Sequence, residues 1–256
     1  MTAWLDADWP APPGVRAVTT TRRGLGGSLA PFDTLNLGLR CGDDAATALD
    51  NRRQLSAALA LPSTPHWLRQ VHGVDVARFV HADVDGNVRD AADEHEADAS
   101  VTSTRGTVLA ILTADCLPVV FAAKDSSEIA AAHAGWRGLA DGVLEATLAA
   151  MRTPANDVLA WLGPCAGPQA YEIGQEVFDA FVSRDPRAAE AFVATRAGHW
   201  RVDLYLLATQ RLVDAGMSGQ DIHGGGLCTI SDPARFFSHR RDQRGGRMAT
   251  LVWMSP

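Results

Sequence analysis

The stretch ILTADCLPVV, residues 111–120, places an acid and a thiol side by side within an otherwise apolar run. The run extends to both sides over residues 107–123, and a second apolar run, EIAAAHAGW, follows at 128–136. Near-continuous apolar runs of this kind are typical of central strands that are buried on both faces. We therefore predict a buried strand over 107–123, in which Asp115 and Cys116 are polar groups that need a chemical reason to be present.

Strand-like and helical patterns alternate along the whole chain, without an internal repeat or a clear linker. Apolar side chains at a spacing of about 3.6 residues predict helices at 43–61, 139–151, 174–185 and 202–217. Strand patterns occupy 15–22, 66–80 with a break at Gly73, 107–123, 128–136, 157–165 and two or three short parts of 221–254. The polar residues 81–98 predict an exposed turn and loop. We predict an α/β fold (α+β mixed), a single domain over residues 1–256 with mixed β-sheets flanked by helices.

Charge and hydropathy exclude several classes of protein. The chain has 256 residues, a hydrophobic fraction of 46% and a formal net charge of −7, which argues against a general nucleic-acid binder. No apolar stretch approaches the roughly 18 residues of a membrane span. The first residues, MTAWLDADWPAPP, contain acids and lack the basic start of a signal peptide. We therefore expect a soluble cytoplasmic monomer without nucleic-acid or membrane partners.

Two histidines and one cysteine occupy comparable places in the sequence. His72 in RQVHG, Cys116 in TADC and His133 in HAGWRG each end a strand-like run and are followed within a few residues by glycine or proline. Side chains at such places leave a sheet and meet at a shared rim. Two imidazoles and a thiolate suit zinc, which in catalytic sites needs three protein ligands and an open position for water.

The same three residues allow two other interpretations. Cys116 could be a nucleophile that His133 or His72 activates, with Asp115 orienting the histidine. All of them could instead be structural, because a cysteine in a buried strand is commonly inert. The four cysteines contain no C-x-x-C pair, and we expect no disulfide framework in a chain of this size and compartment. Spacing alone leaves the metal site, the nucleophile and the structural interpretation open.

The chain also resembles a known family, the YfiH-type proteins, which are described as laccase-domain or polyphenol-oxidase-like proteins. The resemblance covers nearly the whole chain, and TADCLPV with HAGWRG at this separation is its most specific part. Other matching segments are TTRRGLGGSLAPFDTLNLG, NRRQL, QVHGVDV, LGPCAGPQAYEIGQEV, GLCTISDPARFFSHRRD and GRMATLVW. The resemblance implies a fold of mixed β-sheets flanked by helices and a zinc ion bound by His72, Cys116 and His133.

The resemblance further implies an activity, the phosphorolysis of the purine nucleosides adenosine, inosine and methylthioadenosine, with adenosine deamination as a side activity. His72, Cys116 and His133 would then be catalytic residues. The alternative is a Cys116-dependent amidohydrolase that edits a peptidoglycan precursor by removing a misincorporated L-serine. An older family label, copper polyphenol oxidase, ranks lower, because eight histidines without an H-x-H pair do not suit a multicopper cluster. Zinc is therefore the expected cofactor, ahead of copper.

Further candidate site residues lie in the matching motifs. Deamination needs a proton shuttle, and Asp115 is the candidate adjacent in sequence, although in a regular strand its side chain points away from that of Cys116. Phosphorolysis needs cations that bind phosphate and a donor for the ribose or base. The candidates for substrate binding are Arg22, Arg52, Arg240, Arg241 and Asn36. Arg52 could equally be a surface residue of its helix, and Asn36 could form a simple turn.

Overall fold

The computed structural model of the protein describes residues 2–83 and 91–256. The strands are β1 (Trp4–Asp6), β2 (Val15–Thr20), β3 (Leu68–Arg69), β4 (Val76–Arg78), β5 (His95–Glu96), β6 (Ala99–Thr102), β7 (Val108–Thr113), β8 (Leu117–Ala123), β9 (Ile129–Ala134), β10 (Val158–Leu162), β11 (Glu172–Gly174), β12 (Phe192–Arg196), β13 (His199–Val202), β14 (Ile222–Gly224) and β15 (Met248–Met254). The α-helices are α1 (Ala45–Leu59), α2 (Trp136–Asp141), α3 (Val143–Ala150), α4 (Gln175–Val182), α5 (Leu204–Asp214) and α6 (His239–Asp242). Across these described ranges, every helix is too short or too polar to cross a membrane.

Two large sheets form the centre of the fold. The first has four antiparallel strands in the order β1-β2-β15-β7. The second has six strands in the order β14-β10-β8-β9-β6-β4, in which the outer pairs β14/β10 and β4/β6 are parallel and the inner pairs antiparallel. Two small sheets, β11-β13-β12 and β3-β5, complete the set. These mixed sheets with their helices confirm the predicted fold class.

The two large sheets pack face to face, and helices cover their outer faces. Ile111 of β7 and Val252 of β15 belong to the same buried cluster as Val120 of β8 and Ala131 of β9. Helix α1 packs on the other face of the four-stranded sheet through residues such as Leu55. Helices α2 to α5 contribute to a third cluster with the other face of the six-stranded sheet. Apolar burial on both faces of each sheet explains why the central strands are apolar throughout.

The prediction of one strand over 107–123 is wrong, because this segment forms two strands in two different sheets. β7 lies at the edge of the four-stranded sheet and β8 lies inside the six-stranded sheet. Between them Asp115 has φ of +91°, a left-handed conformation that breaks an extended chain. Both strands are apolar and buried, so their periodicity gives no sign of the break. Asp115 and Cys116 therefore lie in the turn that connects the two sheets.

The helices also differ from the predicted ones in two places. The segment 139–151 lies in two helices, α2 and α3, that Gly142 separates with φ of +103°. The longest helix is α1 with 15 residues, whereas α5 has 11 and begins only after Asp203 caps its first turn. Residues 202 and 203 belong instead to the end of β13 and to that cap. The predictions of α1, α4, β2, β9 and β10 are confirmed within a few residues at each end.

The predicted exposed loop 81–98 lies partly outside the described residues, which omit 84–90. The described remainder contains a short 3-10 turn (Ala91–Asp93) and β5, and it is not exposed throughout. Glu94 is 8% exposed and Asp98 is fully buried. The prediction of an exposed loop is wrong at these two acids, because each has buried partners that a polar sequence pattern does not reveal.

Candidate metal centre

The structure brings the three predicted metal ligands together at the junction of the two large sheets. His72 follows β3, Cys116 lies in the turn between β7 and β8, and His133 lies near the end of β9. One potential ligand atom from each side chain lies within 4.8 Å of the other two. The distance from Cys116 Sγ to His72 Nε2 is 3.7 Å. His133 is buried, Cys116 partly buried and His72 exposed, so the group opens to solvent on one side.

A buried carboxylate fixes which nitrogen of His133 faces this group. The Nδ1 atom of His133 lies 2.8 Å from Oδ1 of Asp98. Because a carboxylate only accepts hydrogen bonds, Nδ1 carries a proton, and in the neutral imidazole Nε2 is then the free ligand atom. Burial acts to raise the pKa of Asp98, but the hydrogen bonds from His133 and from nearby backbone N–H groups outweigh it and lower that pKa.

The loop that carries His72 is held by contacts with both large sheets. His72 has φ of +62°, an uncommon conformation for a residue other than glycine. The backbone N–H groups of Val71, His72 and Gly73 donate to the carboxylate of Asp98 over 3.1, 2.9 and 2.7 Å. On the other side, the amide of Gln70 bonds both the N–H and the carbonyl of Leu112, each over 2.8 Å. The imidazole of His72 is thereby presented to Cys116.

The electrostatics of the group favour a charged pair in the absence of metal. Burial acts to raise the pKa of the Cys116 thiol, but the positive charge of His133 and hydrogen bonds from both histidines lower it to about 6. Burial acts to lower the pKa of His133, but the Cys116 thiolate and Asp98 raise it to about 9. Between these values the pair is a thiolate and an imidazolium. A thiolate is also the form of cysteine that binds metals.

A cavity of about 440 Å³ opens onto the three residues. It combines apolar side chains with several polar groups, and the sequence motifs had not singled out its two arginines. Arg40 lies in LNLGLRCGDD and Arg247 in GRMATLVW, so both stand inside or next to matching segments where the signal was available. The remaining lining residues are Gly38, Leu39, Cys41, Leu68, Gln70, Leu112, Thr113, Ala114 and His239.

Two of the predicted substrate-binding residues are buried outside the lining of this cavity. Asn36 is fully buried, and its amide bonds Gly38, the carboxylate of Asp43 and the N–H of Arg247. Arg52 is 2% exposed, so the alternative that it is a surface residue is wrong. Its guanidinium bonds the carbonyl of Leu37 and the carboxylate of Glu94, and it stacks on Trp67 with 4.0 Å to the ring centroid.

The other three predicted arginines contact protein partners and likewise lie outside the lining. Arg22 bonds the carbonyl of Pro233 and stacks on Phe237. Arg240 donates through Nη1 to the carbonyl of Glu172 over 2.7 Å. Arg241 donates to the carbonyls of Thr229, Ile230 and Phe236. In this conformation these arginines hold the segment around α6, and their contact with substrate stays a prediction.

Asp115 also contacts protein groups through both of its carboxylate oxygens. Oδ1 accepts from the hydroxyl of Thr229 and Oδ2 from the N–H of Arg240, each over 2.6 Å. Its main-chain carbonyl accepts from the N–H of Ala166 over 2.8 Å. These contacts join the turn that carries Cys116 to the start of α6, whose His239 lines the cavity. They fit a role of Asp115 in folding better than a role in proton transfer.

Fold and site together define a class of protein, a mixed α/β protein with one open His₂Cys centre between two sheets. Within residues 2–83 and 91–256, the cluster of side chains that can share an ion is His72, Cys116 and His133. Residues 16–255 match the protein family described as multi-copper polyphenol oxidoreductase laccase. The chain therefore belongs to this laccase-like YfiH family, as its motifs predicted.

Relatives and a solved structure agree with this assignment along the whole chain. A purine nucleoside phosphorylase of Xylella fastidiosa strain Temecula1 is 62% identical over 253 residues, which cover 98% of this chain and 96% of that protein. The purine nucleoside phosphorylase YfiH of Escherichia coli K12 is 46% identical over 246 residues, 96% of each chain. The crystal structure of protein NMB0706 from Neisseria meningitidis has a TM-score of 0.90 and 41% identity, and the match covers all of both chains.

Proposed function

We propose that this protein is a zinc-dependent purine nucleoside phosphorylase that cleaves adenosine, inosine and methylthioadenosine, with adenosine deamination as a side activity. The observation that carries the proposal is the His₂Cys group at the wall of a cavity that also contains two arginines. Relatives that are 46 and 62% identical and bear the name purine nucleoside phosphorylase support the reaction class.

The donor set fits zinc. Two imidazoles and a thiolate are borderline to soft ligands that suit zinc better than magnesium or calcium. The 3.7 Å between Cys116 Sγ and His72 Nε2 is close to the roughly 3.6 Å that separates two ligands of one tetrahedral zinc ion. Three protein ligands leave one position open toward the cavity. Bound there, zinc supplies Lewis-acid chemistry, which polarises an oxygen atom of substrate or water.

The side chains of the cavity wall account for the other requirements of phosphorolysis. Arg40 and Arg247 bind the phosphate, which attacks C1′ of the ribose as the bond from C1′ to N9 breaks. The electron pair of that bond goes to the purine, and His239, which lines the same cavity, donates the proton that neutralises it. Leu39 and Leu112 offer an apolar wall for the base.

Glu94 positions Arg40 at this wall. Its side chain is 1% exposed, and its carboxylate pairs with Arg40 through one oxygen and with buried Arg52 through the other. The sequence motifs put Arg52 forward as a phosphate ligand. In our proposal it does not contact phosphate but pairs with Glu94, which in turn orients Arg40. A carboxylate shared between two guanidinium groups keeps that of Arg40 oriented. Arg40 therefore loses less side-chain conformational entropy when phosphate binds.

A second candidate, the Cys116-dependent amidohydrolase, is favoured by one specific observation. Cys116, His133 and Asp98 form the series of thiolate, imidazole and orienting carboxylate that cysteine nucleophiles use. This candidate acts on a peptidoglycan precursor that carries L-serine. It predicts an acyl thioester on Cys116 when metal-free protein is mixed with that precursor, which mass spectrometry of the Cys116 peptide detects.

The product profile from adenosine tests the leading proposal. Zinc-loaded protein is incubated with adenosine, with and without inorganic phosphate, and the products are separated by chromatography. We expect adenine and ribose 1-phosphate only in the presence of phosphate, and a smaller amount of inosine, which phosphorolysis converts to hypoxanthine in the sample with phosphate. The proposal would be contradicted if protein with one zinc per chain released no adenine in the presence of phosphate.

A further inference from the structure

We infer that Asp98 is a positioning residue that sets both histidine ligands of the metal centre at the same time. The inference rests on the proposed function only in that the centre binds metal, and it does not depend on the substrate. Asp98 is fully buried directly before β6, next to the strand that carries His133. Asp98 is not one of the three proposed ligands; its carboxylate bonds the ring of His133 and the backbone of His72.

A single oxygen atom joins the two histidines. Oδ1 of Asp98 accepts from Nδ1 of His133 over 2.8 Å and from the backbone N–H of His72 over 2.9 Å. The main-chain carbonyl of Asp98 also accepts from the backbone N–H of His133 over 2.7 Å. The ring of one ligand and the backbone of the other are therefore tied to the same residue.

The second oxygen completes the support of the His72 loop. Oδ2 of Asp98 accepts from the N–H groups of Val71 and Gly73, on either side of His72. Three consecutive N–H groups that point at one carboxylate require a tight curve of the chain. This curve includes the left-handed conformation of His72, which a residue with a Cβ adopts only when outside contacts compensate. The carboxylate of Asp98 provides those contacts.

Loss of this carboxylate is therefore expected to disturb both histidines together. In Asp98→Asn, one carboxylate oxygen becomes an amide NH₂ group, which donates and cannot accept. It then faces either the N–H groups of the His72 loop or the Nδ1–H group of His133, and the group it faces loses its acceptor. Without its acceptor the His133 ring exchanges tautomers and turns, and without its three bonds the His72 loop relaxes. Removal of partners that orient metal ligands typically lowers metal affinity by about 10- to 100-fold.

Glu128 provides a matched control at the other end of β9. It is 2% exposed, and its carboxylate accepts from the N–H of Arg152 over 2.7 Å and from the guanidinium of Arg78 over 3.0 Å. Glu128→Gln makes the same chemical change in a buried carboxylate. The site lies five residues from His133 along an extended strand, which is roughly 16 Å.

The experiment measures zinc affinity by competition with a chromophoric chelator for the full-length wild-type protein and both variants. We expect Asp98→Asn to lose 10- to 100-fold in affinity and Glu128→Gln to stay within about threefold of the wild type. Wild-type affinity in Asp98→Asn, or an equal loss in both variants, would overturn the inference, because a merely structural role of buried carboxylates predicts the same effect in each.

A spectroscopic measurement on the wild-type protein tests the contact between Asp98 and His133. It needs neither bound zinc nor a variant that folds. Nitrogen NMR of the histidines at alkaline pH, where His133 is neutral, should show the proton on Nδ1 in the wild-type protein. A proton on Nε2 would overturn the inference. The wild type could bind zinc and Asp98→Asn could show the expected loss of zinc affinity while adenosine is not cleaved. In that case the proposed function is wrong and the positioning role of Asp98 stands.

Discussion

At the scale of single residues, Asp115 and Cys116 are neighbours in sequence with separate tasks. The left-handed conformation of Asp115 turns the chain from one sheet into the other, and its carboxylate ties this turn to Thr229 and Arg240. Cys116 then leaves the turn toward the two histidines. The sequence predicted that both residues need a chemical reason, but only the structure shows that Asp115 contacts Thr229 and Arg240 while Cys116 lies beside the histidines.

Cys116 should react as a thiolate well below the ordinary pH range of cysteine. The charge of His133 and the histidine hydrogen bonds overcome burial and lower the pKa of its thiol to about 6, from an ordinary value of 9.0. In metal-free protein, the rate of alkylation of Cys116 by iodoacetamide is thus expected to be high at pH 7 and to fall as pH drops through about 6. Mass spectrometry of the Cys116 peptide measures this rate separately from the other cysteines.

Replacement of His133 provides the control for this pH profile. His133→Ala removes the positive charge and hydrogen bond that lower the thiol pKa, so the midpoint of the profile should move upward. Zinc should slow alkylation of the wild type, since the thiolate is then a ligand. A midpoint near 9 in the wild type would show that the charged pair does not form.

At the scale of elements, the end of β9 approaches the metal centre through a glycine. A Cβ atom on Gly135 would lie 2.8 Å from Cδ2 of His72 and 3.0 Å from Sγ of Cys116. Gly135 has φ of −62°, so alanine suits the backbone and only the contact with the ligands opposes it. We expect Gly135→Ala to weaken zinc binding at least 10-fold through displaced ligands, as measured by chelator competition.

Gly27 is the matched glycine for this substitution, because a Cβ atom there has no neighbour within 4 Å. Gly27→Ala should leave zinc affinity unchanged. Equal affinity of Gly135→Ala and the wild type would mean that the ligands have more room than the structure gives them.

Helix α1 is tied to the residue before β5 by a buried ion pair between Arg52 and Glu94. Burial acts to lower the pKa of Arg52, Glu94 acts to raise it, and the result is a value of about 10. Glu94→Gln leaves this guanidinium buried without a counter-charge, which is expected to cost about 3–5 kcal/mol in the free energy of unfolding. Urea denaturation followed by circular dichroism measures the change.

Glu96→Gln tests the same substitution two residues further along the chain. Glu96 pairs with Arg69, and both side chains are about half exposed. Exposed pairs contribute roughly 0–1 kcal/mol, so this variant should unfold almost like the wild type. A similar loss in both variants would contradict the importance of burial at Glu94.

At the scale of the whole molecule, the candidate metal centre lies where the two large sheets meet. The clustering of His72, Cys116 and His133 could be predicted from sequence, because each ends an apolar run and is followed closely by a glycine or proline. The division of 107–123 between two sheets could not, since both strands are equally apolar and only long-range pairing distinguishes them.

Burial of the acids was likewise hidden in the sequence. Glu94 and Asp98 stand in a polar stretch that resembles an exposed loop, and their partners Arg52, His72 and His133 lie far away along the chain. The same reason explains the missed Arg40 and Arg247, which reach the cavity only through the folded arrangement of two distant segments. Motifs predicted which three side chains come together, and the fold was needed to show which residues line the cavity beside them.

Titration of zinc into metal-depleted protein, with phosphorolysis of inosine followed in phosphate buffer, tests the central claim most directly. The account predicts that activity rises linearly and levels off at about one zinc per chain, since the proposed ligands His72, Cys116 and His133 form a single site. Full activity of the metal-depleted protein, or no activity at any zinc concentration, would contradict it.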